Sequence, residues 1–137
     1  QARIINECSI NFWYYIREVV RIPTPGGVTT YELHRGNLAE SFCLLCNLNT
    51  SILLPRQHYK TISAVVYYSW VYNLKGKNYN MIFSNKEFAD SQLNIKRLND
   101  ILDALPKYLR SHANTKKDVN NKTEIKIDSL NRHCLLL

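Results

Sequence analysis

Lys60 and Thr61 form an adjacent pair whose side chains can bind phosphate and a magnesium ion. They lie in the segment SILLPRQHYKTISAVVYYSW, residues 51–70, whose apolar pattern predicts a short buried strand, a loop and a helix. This is the order of a phosphate-binding loop, in which the lysine contacts the outer phosphates and the hydroxyl contacts magnesium where the helix begins. The segment therefore predicts a nucleotide site at the start of the helix.

Five residues precede the lysine and complete the predicted loop: Pro55, Arg56, Gln57, His58 and Tyr59. Arg56 supplies a second cation for the γ-phosphate and is the candidate catalytic residue. The motif G-x-x-x-x-G-K-[ST] places glycine where this chain has Leu54 and Tyr59, and glycine lets the backbone approach the phosphates without a Cβ atom. We therefore expect nucleotide affinity to be weakened or lost. A plain strand-to-helix turn with a chance Lys-Thr pair is the competing interpretation.

Size and charge narrow the class of protein. The chain has 137 residues, 45% of them hydrophobic, which is enough for one domain with a real core. Eighteen basic against eleven acidic side chains give a net charge of +7, which favours a polyanionic partner such as nucleic acid or phosphate. No apolar run approaches the roughly 18 to 20 residues that cross a bilayer. The sequence thus predicts a soluble, intracellular protein without membrane contact.

Cysteine and histidine are placed unlike the ligands of a zinc site. Cys43 and Cys46 form a C-x-x-C inside the apolar run FCLLCNL, and no second pair follows at zinc-ligand spacing. The four histidines complete no recognisable cluster. We expect core thiols and no zinc.

Apolar periodicity predicts four helices, at 11–22, at 37–48 with Leu38, Phe42, Leu45 and Cys46 as apolar positions, at 60–73, and from 88 to 109. Pro23 to Gly27 must break the first helix, Ser84 and Glu87 have capping-box spacing before the last, and Pro106 should kink or end it. Extended segments are predicted at 28–33, 51–54, 80–83 and, as an edge or half-exposed strand, 124–130. A flexible loop is expected at 111–122, and the terminal HCLLL has no visible partner.

This succession predicts an α/β fold whose strands pair in parallel through right-handed crossovers. Residues 1–34 read as an N-terminal helix followed by a Pro/Gly turn segment. Residues 35–137 read as a partial P-loop ATPase-like domain, and the two together as one compact unit.

Several of these segments resemble segments in the ATPase domain of the large terminase subunits, which are the DNA-packaging ATPases of tailed bacteriophages. PRQHYKT is similar to the P-R-Q-x-G-K-T form of their Walker A loop, and ILDALPKYL is similar to their I-x-x-L-P-x-x-L segment. EIKIDSLN resembles a later strand of their ATPase domain. LHRGNLAESF resembles the segment that holds adenine in that family. The similarity covers most of residues 11–131.

The resemblance implies a partial RecA-like P-loop ATPase fold, with a mostly parallel sheet flanked by helices, that binds ATP and magnesium. Lys60 and Thr61 would contact the phosphates and the magnesium, Arg56 would sense the γ-phosphate, and Asn37 would fall near the adenine. The implied partners are double-stranded DNA, the portal and the small terminase subunit, with a homo-oligomer formed by the full-length protein. The implied location is the cytoplasm of an infected bacterium and, transiently, the procapsid.

The chain departs from the family in two further respects. No apolar run ends in Asp-Glu, so a Walker B strand is missing, and so is the nuclease domain. We therefore expect no ATP hydrolysis by this chain alone. Two alternatives stay open: a non-catalytic module that binds DNA or another terminase chain, using Lys116, Lys117 and Lys122, and a domain of a different NTPase branch such as a helicase-like protein.

Overall fold

A computed structural model describes residues 1–53, 55, 60–75, 78–85, 87–112, 119–120, 124–127 and 132–136. These residues form a mixed α/β structure, in agreement with the predicted class. No helix in these ranges is both long and apolar enough to cross a membrane.

The N-terminal region is helical from Ala2 to Val19, apart from the junction at Asn11. Helices α1 (Ala2–Ile10) and α2 (Phe12–Tyr14) are joined at Asn11, whose Oδ1 accepts a hydrogen bond from the backbone N–H of Tyr14 at 3.1 Å. A π-helical turn, Tyr15–Val19, continues α2. The predicted helix at 11–22 is therefore right up to Val19. It ends there because Val20 is extended and the chain enters a strand that contains Pro23, which cannot donate a helical hydrogen bond.

A hairpin forms at the predicted Pro/Gly turn segment. Strands β1 (Arg21–Thr24) and β2 (Gly27–Thr30) pair in antiparallel fashion, and Gly27 has a φ of +124°, which side chains with a Cβ rarely adopt. The Thr24 hydroxyl donates to the carbonyl of Gly27 at 2.7 Å and closes the turn. The predicted break is confirmed, and the extended piece predicted at 28–33 is confirmed as far as Thr30.

Helix α3 (Arg35–Leu45) starts two residues before its predicted start at 37 and ends before 48. Its N-terminus is capped reciprocally by His34 and Asn37, because each side chain accepts the backbone N–H of the other residue. The helix buries Asn37, Glu40 and Ser41, whereas the apolar Leu38 and Phe42 are exposed. Cys46 is also exposed and Cys43 half-buried, so the prediction of two core thiols is wrong.

The predicted buried strand at 51–54 is wrong for the residues that are described. Residues 51–53 form no strand and are exposed, with Leu53 at 95%. Three aliphatic residues become a strand only where a neighbouring strand accepts their hydrogen bonds, and none pairs with this segment within the described ranges. Leu54 lies outside the described residues.

Helix α4 (Lys60–Trp70) and the π-helical turn after it, Val71–Lys75, confirm the prediction of a helix at 60–73. Val65, Val66 and Trp70 are buried. Helix α4 packs against α3 on one side, and on another it packs against the long helix of the C-terminal half.

The second half begins with strand β3 (Tyr79–Phe83), followed by that long helix, α5 (Phe88–Ala104), and by α6 (Lys107–His112). Pro106 separates α5 from α6, as predicted. The predicted capping box does not form, because the residue before α5 is Glu87, which makes no side-chain cap, while the amide of Asn85 donates to Ser91 at 3.2 Å.

The larger sheet has the order β3-β6-β5-β4, with β4 at Val119–Asn120, β5 at Glu124–Ile127 and β6 at Arg132–Leu136. The first four residues of the C-terminal HCLLL, 133–136, lie in β6, which pairs in parallel with β3 and antiparallel with β5, so the expectation of a partnerless tail is wrong. Strand β5 lies inside the sheet and not at its edge. Only one of the three strand pairings in this sheet is parallel among the described residues, so a mostly parallel sheet is not shown. Most of the predicted loop at 111–122 lies outside them.

One buried cluster joins the N-terminal helices to α4, α5 and the sheet. Its aromatic part lies where α1 and α2 meet α4: the rings of Phe12 and Trp70 are 5.1 Å apart, and the Trp70 indole donates to the carbonyl of Cys8 at 2.7 Å. Nearby, the buried hydroxyls of Tyr15 and Ser69 lie 3.0 Å apart, and Ser69 also donates to Val66 at 2.7 Å. Polar groups are thus paired inside the core, which avoids the cost of burying them alone.

We expect Tyr15→Phe to lower the free energy of unfolding by about 1 kcal/mol, since it removes a buried hydrogen bond and leaves the ring in place. Tyr14→Phe is the matched control, because Tyr14 is only half-buried. Urea unfolding followed by circular dichroism measures both variants. Equal effects of the two substitutions would contradict the assigned pairing with Ser69.

Candidate functional site: a cleft at the start of α4

An open cleft of about 350 Å³ lies beside the first turns of α4 and the carboxyl end of β3. We call it the α4 cleft. Its lining comes from α3, α4, α5, β3 and the loops after α3 and β3, and comprises Glu40, Ile52, Lys60, Thr61, Ala64, Tyr68, Ile82, Phe83, Ser84, Asn85 and Asn94. The carboxyl ends of strands and the amino ends of helices are where α/β proteins bind ligands.

Lys60 and Thr61 are the first two residues of α4 and both line the cleft. Lys60 is exposed and Thr61 is half-buried. This eleven-residue helix begins at the cleft. The N-terminus of a helix has N–H groups without an intrahelical acceptor and a partial positive charge, and the side chain of Lys60 adds a full positive charge. This end of the cleft therefore attracts anions. Pro55 is exposed, and Arg56, Gln57, His58 and Tyr59 lie outside the described residues.

Glu40 brings a carboxylate into the same cleft from α3. The residue is only 7% exposed, and its Oε2 has no hydrogen-bond partner among the described residues. Burial raises the pKa of Glu40 from its ordinary value of 4.5 to about 7, while a hydrogen bond from Ser63 and the charge of Lys60 act in the opposite direction. Glu40 and Lys60 line the same cleft.

Glu40 belongs to a short buried chain of polar groups. The hydroxyls of Tyr31 and Ser63 lie 2.7 Å apart, and Ser63 in turn hydrogen-bonds Glu40. This chain links the segment after β2 to α4 and α3. It holds one carboxylate oxygen in place and leaves the other unused.

Asn37 occupies a different position from the one that the resemblance suggests for an adenine-binding residue. It is fully buried, and its side chain accepts from the N–H of His34 at 2.7 Å and donates to the carbonyl of Glu32 at 2.8 Å. The residue lines neither the α4 cleft nor a second cavity of about 250 Å³ between the hairpin and α4. Its amide therefore fixes the start of α3, and contact with a base stays a prediction.

The polar cleft residues that were not singled out from the sequence as site residues include Glu40, Asn85 and Asn94. Asn85 follows β3 directly, so the rule that ligands bind at strand carboxyl ends could have identified it. Glu40 gave a weaker signal, a carboxylate within the run LAESFCLL, whose apolar neighbours suggested the opposite helix face. Asn94 is buried on α5, and only the packing of α5 against α4 brings it here.

The oxygen donors of the cleft suit a hard cation better than zinc. Thr61 and Ser84 offer hydroxyls, Asn85 an amide and Glu40 a carboxylate. Within the described ranges, no three histidine, cysteine, aspartate or glutamate residues are grouped as metal ligands. A magnesium ion at this place would be held by one protein carboxylate together with hydroxyl and amide oxygens, and also by phosphate oxygens when a nucleotide is bound.

No protein-family model matches the chain, and no curated protein sequence matches it either. The functional assignment therefore depends on the cleft geometry and on the sequence motifs.

We expect Glu40→Gln to stabilise the protein above neutral pH. Because the pKa of Glu40 is raised on folding, the folded state binds more protons than the unfolded state between about pH 4.5 and 7, so stability falls as pH rises through that window. Glutamine does not titrate, so the variant does not lose stability through this window. The difference in free energy of unfolding between Glu40→Gln and the natural protein should therefore shift in favour of the variant by about 1 to 3 kcal/mol between about pH 5 and about pH 8. Thermal unfolding in EDTA measures this, with the exposed Glu32→Gln as control; a pH-independent difference contradicts the raised pKa.

Proposed function

We propose that the chain binds the phosphates of a nucleoside triphosphate, with magnesium, in the α4 cleft. The observation that carries this proposal is the position of Lys60 and Thr61, which begin a buried helix and line a cleft that also receives the end of β3. A lysine and a hydroxyl at a helix N-terminus are the groups that a triphosphate and its magnesium require. The four loop residues Arg56 to Tyr59 precede this point in the sequence and are proposed to complete the cradle.

The fold supports a P-loop assignment in part. Strand β3 pairs in parallel with β6, α5 packs against both strands, and Tyr68 of α4 contacts Phe83 of β3. We propose that the chain forms a partial RecA-like ATPase fold, the front part of a viral DNA-packaging motor ATPase of the large terminase type. Double-stranded DNA, the portal and the small terminase subunit are the partners that this proposal implies.

The residues present fit a magnesium ion, because a buried carboxylate oxygen of Glu40 has no hydrogen-bond partner in the part of the chain that the structure describes, and Thr61 presents a hydroxyl in the same cleft. When bound, magnesium would neutralise phosphate charge. Lys60 would bind and orient the phosphates, and α4 would contribute its N-terminal partial charge. Hydrolysis is not expected of this chain alone, since no Walker B pair of carboxylates is present in its sequence.

We expect Lys60→Ala to lower the affinity for ATP by at least about tenfold, because it removes the lysine charge at the phosphate end of the cleft. Lys107→Ala, at an exposed lysine on α6, is the matched control and should bind ATP as the natural protein does. Titration with a fluorescent ATP analogue provides the measurement. Unchanged binding in both variants argues against a phosphate site at Lys60.

Tyr59→Gly restores the residue that phosphate-binding loops carry before the lysine. We expect it to raise ATP affinity by at least about fivefold, since a strained or obstructive side chain in such a loop costs on the order of 1 to 3 kcal/mol. The same titration, with Tyr14→Gly as a remote control, measures the gain. No gain would count against the assignment of this segment as a phosphate-binding loop.

A further inference from the structure

We infer that Glu40 is a ligand of the divalent cation that accompanies the nucleotide in the α4 cleft. This inference rests on the proposed function but goes beyond it, because a carboxylate on the helix before the loop has no place in the G-x-x-x-x-G-K-[ST] motif. It identifies an acidic group for magnesium in a chain that has no Walker B carboxylates.

The first support is the state of the carboxylate. Glu40 is more than nine-tenths buried, and its Oε2 has no hydrogen-bond partner among the described residues. The ion pairs Arg17–Glu18 and Lys96–Asp100 lie outside the cleft. A buried carboxylate without a cation or a full set of donors is costly, so a residue of this kind indicates a positive ligand.

The second support is the set of side chains that line the cleft together with Glu40. The cleft that it lines also holds the Thr61 hydroxyl, the amide of Asn85 and the exposed Lys60. Oxygen donors of this kind, with only one carboxylate among them, fit magnesium, which commonly takes one or two carboxylates and completes its shell with phosphate oxygens and water. Lys60 beside them fits the phosphates themselves.

The third support is the way in which Glu40 is held. Ser63, on α4, hydrogen-bonds the carboxylate of Glu40. The Ser63 hydroxyl lies 2.7 Å from the hydroxyl of Tyr31, which follows β2, so α4 and this segment together orient the Glu40 side chain. Metal-binding carboxylates are usually oriented by such hydrogen bonds. The terminal torsion of a glutamate is soft, so the unused oxygen can turn toward the cleft at little cost.

The test compares ATP affinity in magnesium and in EDTA for the natural protein, Glu40→Gln and Glu40→Asp. Glu32→Gln, outside the cleft, is the control. We expect magnesium to tighten binding by at least about tenfold in the natural protein and in Glu32→Gln, and by no more than about twofold in Glu40→Gln. Glu40→Asp should keep part of the gain, and Glu40→Gln should bind in EDTA at least as well as the natural protein, because it lacks the charge that repels phosphate. A full magnesium effect in Glu40→Gln overturns the inference.

A second measurement separates this inference from the nucleotide proposal. Binding of Mn²⁺ without nucleotide, followed by electron paramagnetic resonance, should be detectable in the natural protein and lost in Glu40→Gln. If ATP fails to bind under any condition while Mn²⁺ binds through Glu40, the cation site is supported and the nucleotide proposal is contradicted. If neither ATP nor Mn²⁺ binds, the cation site and the nucleotide proposal are both contradicted. If ATP binds and Lys60→Ala abolishes it, but Glu40→Gln changes neither the magnesium effect nor Mn²⁺ binding, only the cation site falls.

Discussion

The burial of α4 between α3 and α5 is the constraint on which the rest of the structure depends. Its apolar residues, among them Val65, Val66 and Trp70, lie in the core that joins the N-terminal helices to the sheet. Because a helix is rigid over eleven residues, fixing its buried turns also fixes its first turn. Lys60 and Thr61 are held at the cleft for this reason, although neither is itself in the core.

Helix α3 shows how the packing around α4 overrides simple hydrophobic patterning. The helix turns Asn37, Glu40 and Ser41 inward and leaves Leu38 and Phe42 exposed. Asn37 caps the helix, and Glu40 is bonded to Ser63 on α4. The Oγ of Ser41 and the Oε2 of Glu40 have no hydrogen-bond partner among the described residues. Of these two residues only Glu40 lines the α4 cleft, so its free oxygen is the one that indicates a ligand there.

Three hydrogen bonds between distant parts of the chain also hold α4 in position. Trp70 bonds to the carbonyl of Cys8, Tyr15 pairs with Ser69, and Tyr31 pairs with Ser63. All three connect α4 to the N-terminal 31 residues, which lie within the predicted helix-and-turn segment 1–34. The N-terminal region therefore helps to position the same helix that carries the candidate phosphate-binding residues.

The sequence by itself determined the local elements: the Pro/Gly hairpin turn, the helix that begins at Lys60, strand β3, and the break at Pro106. These depend on backbone restrictions and apolar periodicity within a few residues, which a sequence displays directly. Tertiary structure alone decided that residues 51–53 form no strand, that HCLLL becomes β6, and that Glu40 faces the cleft. Strand pairing and the inward face of a helix depend on which neighbours satisfy hydrogen bonds and cover apolar surface, and those neighbours lie far apart along the chain.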